Sequence, residues 1–187
     1  MQRAGDPPVL NTREHEVQFT SRGNILKGWL ITPAKPGPYP AMVSLHGSGP
    51  STRWLALARA RRFAEAGYAM LIYDKPGSGE SQGDWTMTSL DEMAQDANAA
   101  VEFLRTRPGV IPAKVGVWGH SQAGWVISRA AAMPNNIAFA IVLAGFLCGR
   151  FRLLGAGGSE ALNGFVYFAA LPALFFGSLA KVELTEI

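Results

Sequence analysis

The sequence predicts an α/β fold: a mostly parallel sheet with helices on both faces and a β-hairpin at its N-terminal end. Three observations carry that expectation. Four short runs, at residues 41–45, 69–73, 115–118 and 137–143, are apolar save for Ser44 rather than alternating, as strands buried on both faces are. The long stretches between them carry helical patterning, and parallel strands need such crossovers. Each of the first three runs empties into a glycine-containing loop, and sites in parallel sheets form beyond the C-terminal ends of the strands.

In chain order, residues 1–10 contain no apolar run and carry Asp6, Pro7 and Pro8, so a secretory signal is not expected. Residues 14–32 read as a hairpin: Val17 and Phe19 alternate with polar neighbours, Gly23-Asn24 supplies the turn, and 25–31 returns. A Pro-rich surface loop is expected over 33–40. Residues 52–66 read as a helix closed by Gly67, with Arg59, Arg61 and Arg62 on its solvated face. The 69–73 run ends at Asp74. Residues 89–105 form the clearest helical pattern. Ser89 and Glu92 make a capping box, and Leu90, Met93, Ala97, Val101 and Leu104 recur on one face. Pro108-Gly109 ends that helix. After the 115–118 run a further helix is expected to stop near Met133, before Pro134.

The 187 residues are expected to form one domain, with a core over 1–149 and an atypical apolar segment of the same domain over 150–187. With 48% hydrophobic and 17% charged residues, disorder is excluded. The lone Cys148 excludes an internal disulfide and a Cys-rich zinc site, and His15, His46 and His120 leave little for a metal cluster. No metal and no cofactor is expected. The net charge of +3 comes from scattered basic residues, which argues against a nucleic-acid partner. A cytoplasmic location is expected. Residues 164–180 carry no charge but are short for a membrane span, and Pro172 and Gly177 interrupt them. Because exposing so much apolar surface is unfavourable, this segment is expected to pack in a homo-oligomeric contact that includes Phe168, Phe175 and Phe176 rather than to enter a membrane.

Three loops carry the candidate chemistry. Gly119-His120-Ser121-Gln122-Ala123 is a G-x-S-x-[GA] element between a strand and a helix. A nucleophile elbow needs small residues two before and two after the serine, because strand becomes helix within a few residues. Gly119 and Ala123 meet that need over the elbow 119–124, and Ser121 is the candidate nucleophile. The N–H of Gln122, at the start of the new helix, is aimed to hold a developing oxyanion. His46-Gly47-Ser48-Gly49 allows close approach of backbone to a substrate carbonyl, and Ser48 N–H, with Gly47 beside it, is the best second donor. His46 reads first as an organiser of this loop. Asp74 to Ser81 (DKPGSGES) lacks the G-K-[ST] ending of a phosphate loop, and Asp74 is expected to bond loop amides.

These three motifs, HGSGPS, LIYDKPGSGESQGDW and GHSQAGW, stand in the order and at the separations of the α/β-hydrolase family, which residues 15–145 resemble, most closely its esterase and acyl-peptidase-like branch. The resemblance implies a central parallel sheet, Ser121 as nucleophile, oxyanion donors from Gln122 and the 46–49 loop, and cofactor-free hydrolysis of an ester, thioester or amide in a small acyl or peptide-like substrate. In that family the triad acid and histidine follow the serine. Here no histidine and no aspartate follows Ser121, and the downstream acids are Glu160, Glu183 and Glu186. His46 is the least unfavourable substitute base. Two expectations stand side by side: a serine hydrolase of esterase type acting through an acyl-enzyme on Ser121, and a catalytically impaired relative that serves as a binding or relic protein. A shortened or frame-altered C-terminus is the expectation that accounts for both the missing histidine and the apolar tail.

Overall fold

The computed structural model describes residues 11–142. The expectations for residues 1–10 and 143–187, including the segment 164–180 with Phe168, Phe175 and Phe176, lie outside the described residues. The elements in chain order are β1 (Thr12–Ser21), β2 (Asn24–Pro33), β3 (Tyr39–Ser44), α1 (Trp54–Glu65), β4 (Ala69–Tyr73), α2 (Leu90–Arg105), β5 (Val110–Gly119), α3 (Gln122–Ala132) and β6 (Ala140–Val142). They build a six-stranded sheet in the order β1-β2-β4-β3-β5-β6. Strands β4, β3, β5 and β6 run parallel, and the β1–β2 hairpin joins antiparallel through β2 and β4.

The continuously apolar runs have the predicted cause: alternate residues feed opposite faces. Val43, Leu71, Val115 and Val117 pack under α2 and α3, against Ala97, Val101, Leu104 and Ile127. Met42, Met70, Ile72 and Trp118 point the other way, under Leu57, Ala60 and Ala64 of α1. Ser89 caps α2 as expected. Its side chain accepts from Glu92 N, and the Glu92 carboxylate accepts from Ser89 N.

Boundaries shift from the sequence expectation by two residues at the starts of β1 (Thr12) and β3 (Tyr39), and three differences go further. The hairpin turns at Arg22-Gly23 rather than Gly23-Asn24, since Ser21 pairs with Asn24. Both turn residues have positive φ, 50° and 81°, which suits the twist of a two-residue hairpin loop. Arginine is an unexpected residue there, and tertiary contacts hold it. Arg22 Nε and Nη2 donate to the two carboxylate oxygens of Asp96 at 3.0 Å each, and Nη1 donates to Glu92 at 3.0 Å. Ser21 Oγ donates to Asp96 at 2.6 Å. Asp96, on α2 and 2% exposed, thereby fastens the hairpin tip to the sheet's helical layer. Second, β5 starts at Val110, ahead of the apolar run. Tyr39 pairs with Val110 and Ala41 with Val115, so the mostly exposed residues 111–114 lie in an irregularity. Third, within the described part of the expected 137–143 run, strand begins only at Ala140, and 140–142 are exposed and form the edge of the sheet among the described residues. Ala138 and Phe139 still bond β5, through Ala138 N to Val115 O and Val117 N to Phe139 O.

Removing one side of a buried charge pair leaves the other uncompensated. Asp96→Ala is therefore expected to lower unfolding free energy by about 3 kcal/mol in urea titration. Glu92→Ala, at the solvent end of the same network, should cost less than about 1 kcal/mol.

Candidate active site

The parallel strands deliver their C-terminal ends to one edge of the sheet. Ser44 of β3 pairs with Ile72 of β4 and with Trp118 of β5, so the three loops that follow begin at nearly the same level. After β5 the chain reverses within two residues and α3 begins at Gln122. Ser121 is held at φ 56°, ψ −125°, a conformation that L-residues rarely adopt, and it is exposed. Gly119 is required for this turn: a Cβ there would overlap the Cβ of Ala123. Ala123 itself is fully buried against the sheet. Gln122 is the first helical residue, so its N–H has no intrahelical acceptor, and the Ser121 side chain does not cap it.

The 46–49 loop is tied to the elbow by a residue that sequence reasoning missed. Lys75 Nζ donates to Gly47 O at 3.0 Å, to Gly49 O at 3.1 Å and to Gln122 Oε1 at 2.9 Å. Gly47, Ser48 and Gln122 are thus brought to one place. The available signal was a lysine directly after a buried strand, between Asp74 and Pro76, where a solvated side chain is hard to arrange. The Asp74 carboxylate has the organising role expected of it. It accepts from Arg53 N at 2.7 Å and Glu80 N at 3.0 Å, with the Arg53 guanidinium alongside. Gly79, at φ 53°, leaves room for it, since a Cβ there would meet the carboxylate.

The three histidines occupy different environments. His15 lies on edge strand β1, opposite Leu30, with β2, β4 and β3 between it and β5. His46 Nε2 contacts Tyr73 O at 2.6 Å. A carbonyl only accepts, so Nε2 carries the proton and Nδ1 alone remains to accept one. Burial, partly offset by that bond and reinforced by nearby Lys75, lowers the His46 pKa to about 4. The bond fastens the 46–49 loop to the end of β4, and the lowered pKa makes His46 a weak proton acceptor. His120 precedes Ser121, and burial and then Arg59 lower its pKa below the usual imidazole value. Its Nδ1 is buried with no hydrogen-bond partner among the described residues. A cavity of about 250 Å³ opens between His46, Ser48, Leu55, Arg59, Tyr73 and His120. Among the described residues no group of three or more His, Cys, Asp or Glu is placed to hold a metal ion, and no helix is long and apolar enough to cross a membrane.

A mostly parallel sheet with a strained serine between strand and helix, faced by a glycine loop from β3, defines the class of α/β hydrolases. Within that class the chain belongs to the X-Pro dipeptidyl-peptidase family (S15), whose profile matches residues 23–177. The chain is 31% identical over 127 residues to the quorum-quenching protein AidA of Acinetobacter baumannii, covering 67% of this chain and 42% of that protein. It is 30% identical over 139 residues to the thiohydrolase aneE of Aspergillus aculeatus, covering 73% of this chain and 43% of that protein. Among solved structures, the α/β hydrolase GrgF from Penicillium sp. sh18 superimposes with a TM-score of 0.62 at 28% identity, over 70% of this chain and 45% of that one. The matched part of the chain thus spans less than half the length of these relatives.

Two measurements check the site's physical description. Glycine adopts the Ser121 conformation without strain, so Ser121→Gly should be more stable than Ser121→Ala by about 1 kcal/mol in thermal or urea unfolding. His46 takes up its proton more readily unfolded than folded. Its contribution to stability is present above its ordinary pKa and is lost as pH falls from about 6.5 toward about 4. The slope is at most about 1.4 kcal/mol per pH unit. His46→Gln, which keeps a donor to Tyr73 O, should flatten that part of the stability–pH curve.

Proposed function

We propose that the chain is a serine hydrolase of esterase type, acting on a carboxylic ester, thioester or amide in a small acyl or peptide-like substrate. The observation that carries this reading is Ser121, exposed at φ 56° and ψ −125° on a turn that only Gly119 permits. Backbone strain of about 1–3 kcal/mol persists where surrounding structure enforces it, and such strain clusters at functional sites. Ser121 Oγ would attack the substrate carbonyl, forming the Oγ–C bond while the carbonyl oxygen takes negative charge. The N–H groups of Gln122 and Ser48 would hold that oxygen. Collapse breaks the bond to the leaving group, which takes the serine proton by way of a base, and water then releases the acid. The thiohydrolase and esterase names among the relatives point to the same acyl chemistry.

One specific observation favours a second reading, a catalytically impaired relative that binds acyl compounds. All three histidines precede Ser121 in the chain. His15 is across the sheet, and His46 has its Nε2 on Tyr73 O. Without an effective base the oxyanion hole and binding leave only residual catalysis.

A fluorophosphonate probe decides between the two. The hydrolase reading expects covalent labelling of Ser121 in the folded chain, none in Ser121→Ala, and p-nitrophenyl ester turnover well above that variant's. Absence of labelling beside a labelled control hydrolase, with turnover equal to Ser121→Ala, would establish the impaired form.

A further inference from the structure

Lys75 is a buried cation that the reaction as described leaves without a task. It is 2% exposed, and Nζ donates to three neutral oxygens, Gly47 O, Gly49 O and Gln122 Oε1. Three donated hydrogen bonds require the ammonium form, since a neutral amine has only two N–H groups. No carboxylate among the described residues pairs with it. Its neighbour Asp74 is turned to Arg53 N and Glu80 N, His46 beside it is held neutral, and the Trp85 ring centroid lies 5.7 Å away. Withdrawing a cation from water without a counter-ion is unfavourable, and burial lowers the Lys75 pKa accordingly.

The three acceptors show what this arrangement can do. The carbonyl of Gly47 belongs to the same peptide unit as the N–H of Ser48. A charged donor on that carbonyl withdraws electron density and makes the Ser48 N–H a stronger donor, as in any hydrogen-bonded chain. The third acceptor is the side chain of Gln122, whose own N–H is the other oxyanion donor. One ammonium group therefore backs the Ser48 N–H through its peptide carbonyl and holds the residue that carries the other donor by its side chain. We propose that Lys75 is the positioning residue of the oxyanion hole, fixing the Ser48 and Gln122 amides relative to each other and polarising the Ser48 N–H toward the negative charge that develops on the substrate carbonyl oxygen. The counter-charge that Lys75 lacks in the resting protein then appears during the reaction. This inference rests on the serine-hydrolase reading of Ser121.

Saturation kinetics of fluorophosphonate labelling test it, because the reacting phosphoryl oxygen takes up charge in the same hole. Lys75→Met should lower the maximal labelling rate constant about tenfold or more, with the half-saturating probe concentration changed less than about twofold. Lys75→Arg, which keeps the charge, should stay within about threefold of the unaltered chain. The unaltered chain should lose labelling rate on the alkaline side as Lys75 deprotonates, and Lys75→Arg should not; that comparison stands even if Lys75→Met fails to fold. An unchanged maximal rate in folded Lys75→Met, a loss expressed only in half-saturation, or identical alkaline profiles for the unaltered chain and Lys75→Arg would overturn the proposal while leaving Ser121 as nucleophile. No labelling of the unaltered chain would overturn both.

Discussion

Every candidate group in this chain depends on the parallel pairing of β3 with β4 on one side and β5 on the other. Ser44 is the shared register point, facing Ile72 and Trp118. Parallel strands in register end together, so the loops after Ser44, Tyr73 and Gly119 emerge side by side although 75 residues of chain separate Ser44 from Gly119. The pairing is enforced from both faces. Residues of the three strands alternate between the α2/α3 layer and the α1 layer, and slipping any strand by one residue would exchange the two sets. The geometry of the site is thus set by hydrophobic burial several residues away from it.

On that framework the loops are fixed by buried polar groups that each serve several backbone atoms. Asp74 holds two amides, Lys75 holds two carbonyls and an amide side chain, and His46 holds the carbonyl of Tyr73. These three residues come from just two loops, and together they join the end of β4 to the 46–53 segment and to the elbow. A loop fixed this way loses little further entropy when it meets a substrate, which is the condition for preorganised donors to act on a developing charge. Ser121 completes the arrangement by a different means, with strain imposed by the strand-to-helix turn rather than by a hydrogen bond.

The family assignment and the geometry agree on an α/β-hydrolase sheet with a strand-to-helix turn at Ser121 and a glycine loop beside it. Of the histidines outside the elbow, His15 is far across the sheet and His46 is a weak acceptor held by its Nε2, so neither is placed to take a proton from Ser121. The relatives are more than twice as long as the segment they share with this chain. The separation is informative in itself. Carbonyl recognition is built from the first strands and their loops, whereas in the class this chain belongs to the acid and base come later in the sequence.

By itself, the sequence determined the α/β class, two of the four core strands nearly to the residue, the capped helix α2 and the elbow, because each is written in local chemistry. Burial on both faces demands unbroken apolar runs, a cap demands Ser89 with Glu92, and a strand-to-helix reversal demands small residues at 119 and 123. Only the tertiary structure decided the rest. Arg22 accepts a left-handed turn position because Asp96, 74 residues further along, grips its guanidinium. β5 extends back to Val110 because Tyr39 is there to pair with it, which Pro112 and the lack of alternation over 110–114 do not announce. Lys75 reads as an ordinary loop lysine until folding surrounds it with Gly47, Gly49 and Gln122, from two other loops. A residue's task is legible in sequence when its partners are its neighbours, and is hidden when the partners arrive only through the packing of distant strands.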